Sequence, residues 1–182
     1  MGDGPKEVGV IGGIEKRNIT IVNYNPAWVE EFEKHKKFIS GAIGSTALQI
    51  EHIGSTSVPR LAAKPIIDIL LVVPDSSDES SYLPQLEKAG YLLRVREPDF
   101  QEHRMMRPPE KNVHIHIFSP DSPEINRYLM FRDQLRKDPA ARKQYEQIKQ
   151  ELAAQSWSDM NAYADAKTKV IEGIIQSAGA KQ

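Results

Sequence analysis

The most informative stretch of the chain spans residues 51–70 and reads EHIGSTSVPRLAAKPIIDIL. Alternating apolar and polar residues before Gly54 predict a β-strand, which ends at the Gly-Ser turn. The continuous apolar run at residues 64–73 is rich in Ile and Val, which is typical of a strand buried on both faces. Asp68 lies inside this run. A carboxylate there must pair, accept hydrogen bonds or bind a metal ion, because burying it alone is costly.

The turn after the first of these strands is a candidate phosphate site. Exposed backbone N–H groups and small hydroxyls suit an anion. Lys64 is close enough in sequence to contact a phosphate as well, and Asp68 has a second interpretation as a structural ion pair with Lys64, Arg60 or an arginine further along the chain. The candidate phosphate-binding residues of this stretch are Gly54, Ser55, Thr56, Ser57 and Lys64.

Outward from this stretch, periodicity predicts a mixed α/β part followed by a helical extension. We expect a flexible leader at residues 1–17, an α/β core at 18–120 and a helical subdomain packed on it at 121–182. The predicted elements are strands at 19–22, 47–53, 64–73, 91–96, 100–107 and 113–118, helices at 25–44 and 79–89, and three tail helices opening at Ser122, at Asp138 and within 156–159.

Composition limits the classes of function. The 182 residues include no cysteine, which excludes disulfides, zinc–thiolate sites, iron–sulfur clusters and a thiol nucleophile. The formal net charge of −1 argues against a partner that is a long nucleic acid. The longest apolar run is too short for a bilayer and there is no signal-peptide pattern, so we expect a cytoplasmic protein without a membrane partner. Composition leaves the oligomeric state open.

His114 and His116 stand two residues apart on a predicted strand and therefore project from one face. Together with Asp68 they would form a set of two imidazoles and one carboxylate, which suits zinc or a transition metal. These three residues are the candidate catalytic and metal-binding groups. The alternative is that the two histidines are polar residues hydrogen-bonded to their neighbours on the sheet.

Basic residues of the helical segment are candidates for further phosphate contacts. Arg132 and Arg136 share one helix face and would form a phosphate clamp if that face looks into the α/β cleft. Lys167 and Lys149 are candidates on the other tail helices. Arg104 is a weaker candidate on a strand. The alternative for the arginine pair is a solvated network with Asp133 and Asp138.

The motifs together resemble the GrpB-like (glutamate-rich protein) family, which is placed in the nucleotidyltransferase-fold superfamily. The resemblance covers about residues 18–175. Its motifs are Tyr24-Asn-Pro-Ala-Trp28, His52-Ile-Gly-Ser-Thr-Ser-Val-Pro59, Ala63-Lys-Pro-Ile-Ile-Asp68-Ile, His114-Ile-His116, Phe131-Arg-Asp-Gln-Leu-Arg136 and Tyr163-Ala-Asp-Ala-Lys167.

The superfamily resemblance implies a mixed sheet flanked by helices, with a Gly-Ser turn at a helix N-terminus that holds nucleotide phosphates. It also implies two carboxylates two residues apart on the next strand and a third on a later strand, which together bind Mg²⁺. Gly54 and Ser55 match the turn and Asp68 matches the first carboxylate. Leu70 stands where the second carboxylate is expected, and the later strand offers His114 and His116.

These observations lead to one principal hypothesis and two alternatives. The principal hypothesis is a protein that binds a nucleotide or another phosphorylated small molecule and transfers a nucleoside monophosphate to an acceptor. Its cofactor would be a divalent metal, Mg²⁺ or Mn²⁺, with zinc as the alternative. A non-catalytic phosphate-binding module is the second reading, supported by Leu70. The third is a metal-dependent hydrolase that uses Asp68, His114 and His116.

Overall fold

The structure, a computed structural model, describes residues 5–13, 15, 20–155 and 160–179. These residues form one six-stranded sheet with five α-helices and three short 3₁₀ turns. In chain order, the elements are β1 (Gly9–Val10), α1 (Ala27–Ile43), β2 (Gln49–Ile53), β3 (Ile67–Val72), α2 (Leu83–Lys88), β4 (Leu92–Glu97), β5 (His103–Arg107), β6 (Val113–Phe118), α3 (Pro123–Lys137), α4 (Pro139–Ala153) and α5 (Met160–Gly179), with the 3₁₀ turns at Gly44–Thr46, Ser55–Ser57 and Glu79–Ser81.

The sheet is mixed, as the sequence predicted. Its strand order is β1-β4-β5-β6-β3-β2. β3 and β6 are parallel neighbours and the other adjacent strands pair antiparallel. β3 therefore lies between β2 and β6, and five of its six residues are buried. This confirms the interpretation of the apolar run at residues 64–73 as a strand inside the sheet.

The two faces of the sheet have different coverings. One face packs against α1 and α2 and forms the largest apolar core, to which β3 contributes Ile67, Ile69 and Leu71. The other face carries Asp68 and Leu70, because successive side chains of a strand alternate between faces. There Leu70, Val72 and Phe118 pack against Ile125 of α3.

The helical tail is attached to the segment that follows the Gly-Ser turn. Val58 and Leu61 of that segment pack with side chains from α3, α4 and α5. The helix boundaries follow local capping: the Ser122 side chain accepts from the Glu124 N–H, and Asp138 accepts from two N–H groups at the start of α4. The predicted start of the last helix within 156–159 lies outside the described residues.

The N-terminal part of the described chain departs from the predicted leader. Gly9 and Val10 pair with Arg96 and Val95 as a short edge strand. The Glu15 carboxylate also pairs with Arg107. Residue 19 of the predicted strand at 19–22 is outside the described residues, and Val22 makes a single bridge to Ala63 rather than a strand. No helix in the described part of the chain is long and apolar enough to span a bilayer.

Candidate functional site

Asp68, His114 and His116 come together on the sheet face that α3 covers. Asp68 lies beside His114 in the parallel register of β3 and β6, and His116 projects from the same face. The Asp68 Oδ1 atom is 3.3 Å from His116 Nε2 and 3.8 Å from His114 Nδ1. One ligand atom from each residue lies within 4.8 Å of the other two, a spacing that lets one ion reach all three.

The protonation states of this cluster favour a cation. Burial opposes the ionisation of Asp68, but the hydrogen bond and the charge of His116 outweigh it. Smaller contributions from His114 and Lys167 act in the same direction, and the pKa of the carboxyl falls to about 2. Burial lowers the pKa of His114 to about 4, so this ring is neutral at pH 7 and keeps a lone pair. Metal ions bind an ionised carboxylate and neutral imidazoles.

His114 also carries an unsatisfied polar atom. Its Nε2 is buried and has no hydrogen-bond partner among the described residues. Leaving such an atom unpaired costs about 1–3 kcal/mol. Buried atoms of this kind call for a specific explanation, and an ion or ligand that completes the site is one. The unpaired atom belongs to a residue of the cluster, although the His114 nitrogen nearest to Asp68 is Nδ1, and an unpaired atom on this ring fits a site that is completed by a ligand.

The leucine at position 70 limits which metal ions fit the cluster, because it supplies no ligand atom. It occupies the position where the resemblance implies a second carboxylate, yet it is fully buried and packs with Ile53 and Phe118. A two-magnesium centre does not fit, because Mg²⁺ prefers oxygen ligands and this cluster offers two ring nitrogens and one carboxylate. The same donor set fits a single ion of zinc or a transition metal.

Gly54 brings the backbone of the turn against Asp68. Its φ of +72° lies in the region that favours glycine, and a Cβ atom there would stand 2.6 Å from Asp68 Oδ2. The residue is therefore a glycine for two reasons, backbone conformation and lack of space. Next to it, the half-buried Ser55 points its hydroxyl at Tyr145 of α4, 3.5 Å from the phenol oxygen. Gly54 thus lines the carboxylate side of the cluster, with Ser55 next to it in the chain.

The other hydroxyls of the turn are committed to the fold. Thr56 donates to the Ile66 carbonyl and contacts His52 Nε2, while Ser57 donates to the Gly54 carbonyl. Both side chains are almost fully buried. The turn leads into three residues of 3₁₀ helix rather than into an α-helix. The implied phosphate site at a helix N-terminus is therefore reduced here to Gly54 and Ser55.

His52 faces away from the cluster, contrary to its adjacency in sequence. It pairs with Ile69 in the register of β2 and β3, which places it on the opposite side of the sheet from Asp68. Its ring stacks on Phe32 of α1 with a centroid separation of 4.9 Å. Burial lowers the pKa of His52 to about 4, so it is a neutral core residue.

Lysines from three parts of the chain surround the cluster electrostatically. Lys149 of α4 is 2% exposed, donates to the Ala62 carbonyl at 3.0 Å and lies over the Tyr145 ring. Burial lowers its pKa to about 7, and the charges of Lys167 and Lys64 lower it further while Asp68 opposes them. All three lysines are thus close enough to sense one another or Asp68. Lysine side chains near a carboxylate suit a phosphate group that is bound through a metal ion.

Arg132 and Arg136 hold the tail to the turn region. The Arg132 guanidinium donates to Glu51 at 2.8 Å and to the His52 carbonyl at 3.2 Å. Arg136 donates to the Ser57 carbonyl at 3.0 Å. The intrahelical alternative is found in part, because Arg132 also pairs with Asp133. These contacts commit part of each guanidinium to the fold, and the phosphate role of the pair stays a prediction.

Arg104 lies on the other side of the sheet from the cluster. It is paired in register with Ile117, whereas His116 pairs with Met105. Its guanidinium donates to Glu79 at 2.8 Å and is 4% exposed. Arg96 binds the same carboxylate, and although burial opposes it, the pKa of Glu79 falls to about 2 because of the two arginines. Arg104 is therefore committed to a buried ion pair on the far face of the sheet, which disfavours the phosphate role expected for it.

His103, which contacts His116, and Glu97, which contacts His103, had no assigned role. His103 Nε2 lies 3.1 Å from His116 Nδ1, and His103 Nδ1 lies 2.8 Å from a Glu97 carboxylate oxygen. Both contacts depend on the pairing of β4, β5 and β6, which a single sequence does not reveal. The sequence signal for the role of His103 would have been its alternation with Met105 on a strand that lies beside the strand of His116.

Comparison with known proteins places this geometry in a family. Residues 18–177 match the model of the family described as GrpB protein. A UPF0157 protein of Halalkalibacterium halodurans is 47% identical over 172 residues, which cover 93% of this chain and 88% of that protein. The crystal structure of conserved protein GrpB from Enterococcus faecalis superposes with a TM-score of 0.75 at 33% identity, covering 87% of this chain and 98% of that one.

A more distant likeness concerns the fold. The Cid1 poly(U) polymerase, solved with MgGTP bound, superposes with a TM-score of 0.50 at 10% identity over 70% of this chain and 43% of that chain. The sheet and its flanking helices are therefore nucleotidyltransferase-like. The match of the family model over most of the sequence, together with the relative of 47% identity, shows that the chain belongs to the GrpB family.

Proposed function

We propose that this protein binds a nucleotide or another phosphorylated small molecule together with one divalent metal ion, in a cleft between the sheet and the helical tail. The observation that carries the proposal is the convergence of Asp68, His114 and His116 on one face of a nucleotidyltransferase-like sheet. The lysines around the cluster supply positive charge for phosphate oxygens. Gly54 lines the same side, with Ser55 next to it in the chain.

The three cluster residues act in this proposal as ligands rather than as proton acceptors. A carboxylate with a pKa of about 2, as in Asp68, is a weak base at neutral pH. His114 and His116 contribute ring nitrogens. When bound, the cation supplies charge neutralisation at a phosphate and polarises an oxygen ligand. The lysines then stabilise negative charge that develops on the phosphate.

The reaction we propose is transfer of a nucleoside monophosphate. A hydroxyl oxygen of the acceptor forms a bond to the α-phosphorus and gives up its proton to solvent, the bond from the α-phosphorus to the bridging oxygen breaks, and pyrophosphate leaves. In this proposal, Lys64 and Lys167 stabilise that leaving group. Support comes from the fold shared with Cid1 poly(U) polymerase and from Asp68, which matches the first carboxylate of the nucleotidyltransferase pattern.

A second candidate function is a metal-dependent hydrolase. Two imidazoles with one carboxylate form the donor set, and Leu70 replaces the second carboxylate that a two-magnesium centre requires. This donor set is typical of sites in which a metal ion activates a bound water molecule. Leu70 is equally consistent with a module that binds the ligand without catalysing a reaction.

A thermal-shift screen tests the shared part of these proposals. ATP, GTP, CTP and UTP are each added with Mg²⁺, Mn²⁺ or Zn²⁺, and without metal. A nucleotide at about 100 times its Kd raises the melting temperature by about 5–10 °C, because it binds the folded chain alone. We expect this rise with a metal present and a smaller one without it. Equal melting temperatures under all conditions would reject nucleotide binding.

Product analysis of the best nucleotide and metal pair separates the candidates. Pyrophosphate released together with a nucleotidylated acceptor supports monophosphate transfer, whereas release of free nucleoside monophosphate or of inorganic phosphate supports hydrolysis. Metal-linked binding without turnover supports the binding module. Asp68→Asn is the control variant, because it keeps the shape of the side chain and removes its charge. We expect the variant to fold and to lose the metal-dependent part of the thermal shift.

A further inference from the structure

A line of hydrogen bonds runs across four strands and ends at Asp68. Glu97 accepts from His103 Nδ1 over 2.8 Å, and His103 Nε2 lies 3.1 Å from His116 Nδ1. His116 Nε2 then faces Asp68 Oδ1 at 3.3 Å. The Glu97 side chain is 43% exposed, whereas that of His103 is 9% exposed. The line therefore begins at the solvent and ends inside the candidate site.

Carboxylates stand at both ends of the line, and the Glu97 end sets the donors when Nε2 of His116 is left for a metal ion. An ionised carboxylate can only accept, so His103 Nδ1 carries the proton of the first bond. A neutral His103 then has a bare Nε2, which must accept from the Nδ1–H of His116. The remaining nitrogen of His116, Nε2, is consequently the one that faces Asp68.

Ring packing keeps this arrangement from rotating. His103 lies stacked between His116 and Phe118, with centroid separations of 5.4 and 4.9 Å and interplanar angles of 14° and 21°. Tyr128 of α3 covers the His116 ring at 5.7 Å. A flipped His116 would place Cδ2 and Cε1, which make no strong hydrogen bonds, against His103 and Asp68.

From this geometry we infer that Glu97 and His103 are positioning residues, which hold His116 with Nδ1 protonated and Nε2 directed at the metal position beside Asp68. The inference rests on the metal site of the proposed function. Metal-binding histidines generally donate their second N–H to an outer partner, which fixes ring orientation and raises ligand basicity. Here the outer partner is a second histidine, itself oriented by a carboxylate.

The protonation of the two His116 ring nitrogens is tested first in the metal-free protein, so that the result does not depend on metal binding. Nitrogen NMR of ¹⁵N-histidine-labelled wild type distinguishes a protonated from a bare ring nitrogen. We expect His116 Nδ1 to carry a proton, whether Nε2 shares a proton with Asp68 or is bare. A spectrum in which Nδ1 of His116 is bare would overturn the inference even if the protein binds zinc.

The role of His103 is tested by calorimetric titration with Zn²⁺ alone. His103→Phe keeps the stacked ring and removes the acceptor, and we expect zinc affinity to fall about 10- to 100-fold. His103→Gln restores a polar partner and should recover most of that loss. His35→Phe is the matched control, since His35 is equally buried and lies on α1, where it contacts Tyr91.

The outcomes separate the inference from the proposed function. Loss in His103→Phe with recovery in His103→Gln supports a positioning role, provided that melting temperatures show folded variants. Unchanged zinc affinity in folded His103→Phe would overturn it. If wild type binds no zinc, the metal site of the proposed function fails, and the NMR spectrum still decides how His116 is held.

Discussion

Gly54 is the residue at which the turn and the carboxylate constrain each other most tightly. A Cβ atom at this position would lie 2.6 Å from Asp68 Oδ2, and φ is +72°. The same close approach explains why the turn can contribute backbone groups to a site centred on a carboxylate. A larger residue would displace one of the two.

We therefore predict that Gly54→Ala impairs metal binding in addition to stability. The positive φ costs about 1–2 kcal/mol for a residue with a Cβ. Gly44→Ala is the matched control, because Gly44 has φ +53° and nothing within 4 Å of its Cβ position. Urea unfolding should show a larger loss of stability in Gly54→Ala than in Gly44→Ala, because only the Cβ at position 54 also clashes with Asp68. Calorimetry should show a loss of Zn²⁺ affinity in Gly54→Ala alone, and equal affinity in the two variants would contradict this account.

Single residues of the site could be predicted in part. Asp68, His114 and His116 were recognisable because a carboxylate in an apolar strand and two histidines at a spacing of two residues leave few interpretations. The hydroxyls of Thr56 and Ser57 were not separable from that of Ser55, because a sequence shows a donor but not the carbonyl that already accepts from it.

Helix α3 is attached to β2 through Arg132. Its guanidinium is 12% exposed and reaches both the Glu51 carboxylate and the His52 carbonyl. Contacts of this kind join the helical tail to the sheet next to the Gly-Ser turn. The arginine therefore supports the site by holding an element in place.

We predict that Arg132→Ala lowers the free energy of unfolding by about 1–2 kcal/mol. A double-mutant cycle with Glu51→Gln should give a coupling energy of about 0.5–1 kcal/mol, because the two side chains are in contact. Lys137→Ala, which removes an exposed cation from the same helix, should change stability by less than about 0.5 kcal/mol. A coupling energy near zero with weakened nucleotide binding would instead give Arg132 a phosphate role.

Element boundaries were predictable where the signal is local. Ser122 and Asp138 cap α3 and α4 as the sequence indicated, because capping depends on neighbouring residues alone. The edge strand β1 was not predictable, since two residues become a strand only through pairing with β4. β5 begins at His103 rather than at residue 100, and Gln101 and Glu102 adopt positive φ in the turn before it.

The stability of the protein in acid depends on buried histidines. His52 has a pKa of about 4 in the folded chain and about 6.5 when unfolded. The unfolded chain therefore binds more protons between these values, and stability falls as the pH drops from about 6.5 to 4. The contribution of one such histidine is at most about 3 kcal/mol.

We predict that His52→Gln weakens this acid dependence. Glutamine does not titrate and can still donate to Thr56, which His52 contacts at 3.0 Å. Urea unfolding at pH 7 and pH 4.5 should show a smaller loss of stability in the variant than in wild type. His114 keeps part of the dependence, because its pKa is lowered in the same direction. Identical losses in the two proteins would contradict the prediction.

The sheet and the helical tail contribute opposite charges near Asp68. The sheet supplies Asp68 with its two histidines, and the helical tail supplies Lys149 and Lys167. The formal net charge of −1 averages these contributions and gives no sign of them. Metal and phosphate would therefore be bound from opposite sides, which predicts that each strengthens the binding of the other.

The most direct test is the affinity for a nucleoside triphosphate, measured by calorimetry for wild type and Asp68→Asn, each with and without Mn²⁺. A shared site predicts that Mn²⁺ strengthens nucleotide binding in wild type by about 5- to 150-fold, the usual range of coupling between two ligands. The coupling should disappear in Asp68→Asn, which lacks the charged ligand. Equal coupling in both proteins, or nucleotide binding that ignores Mn²⁺ in wild type, would contradict a joint metal and phosphate site at Asp68.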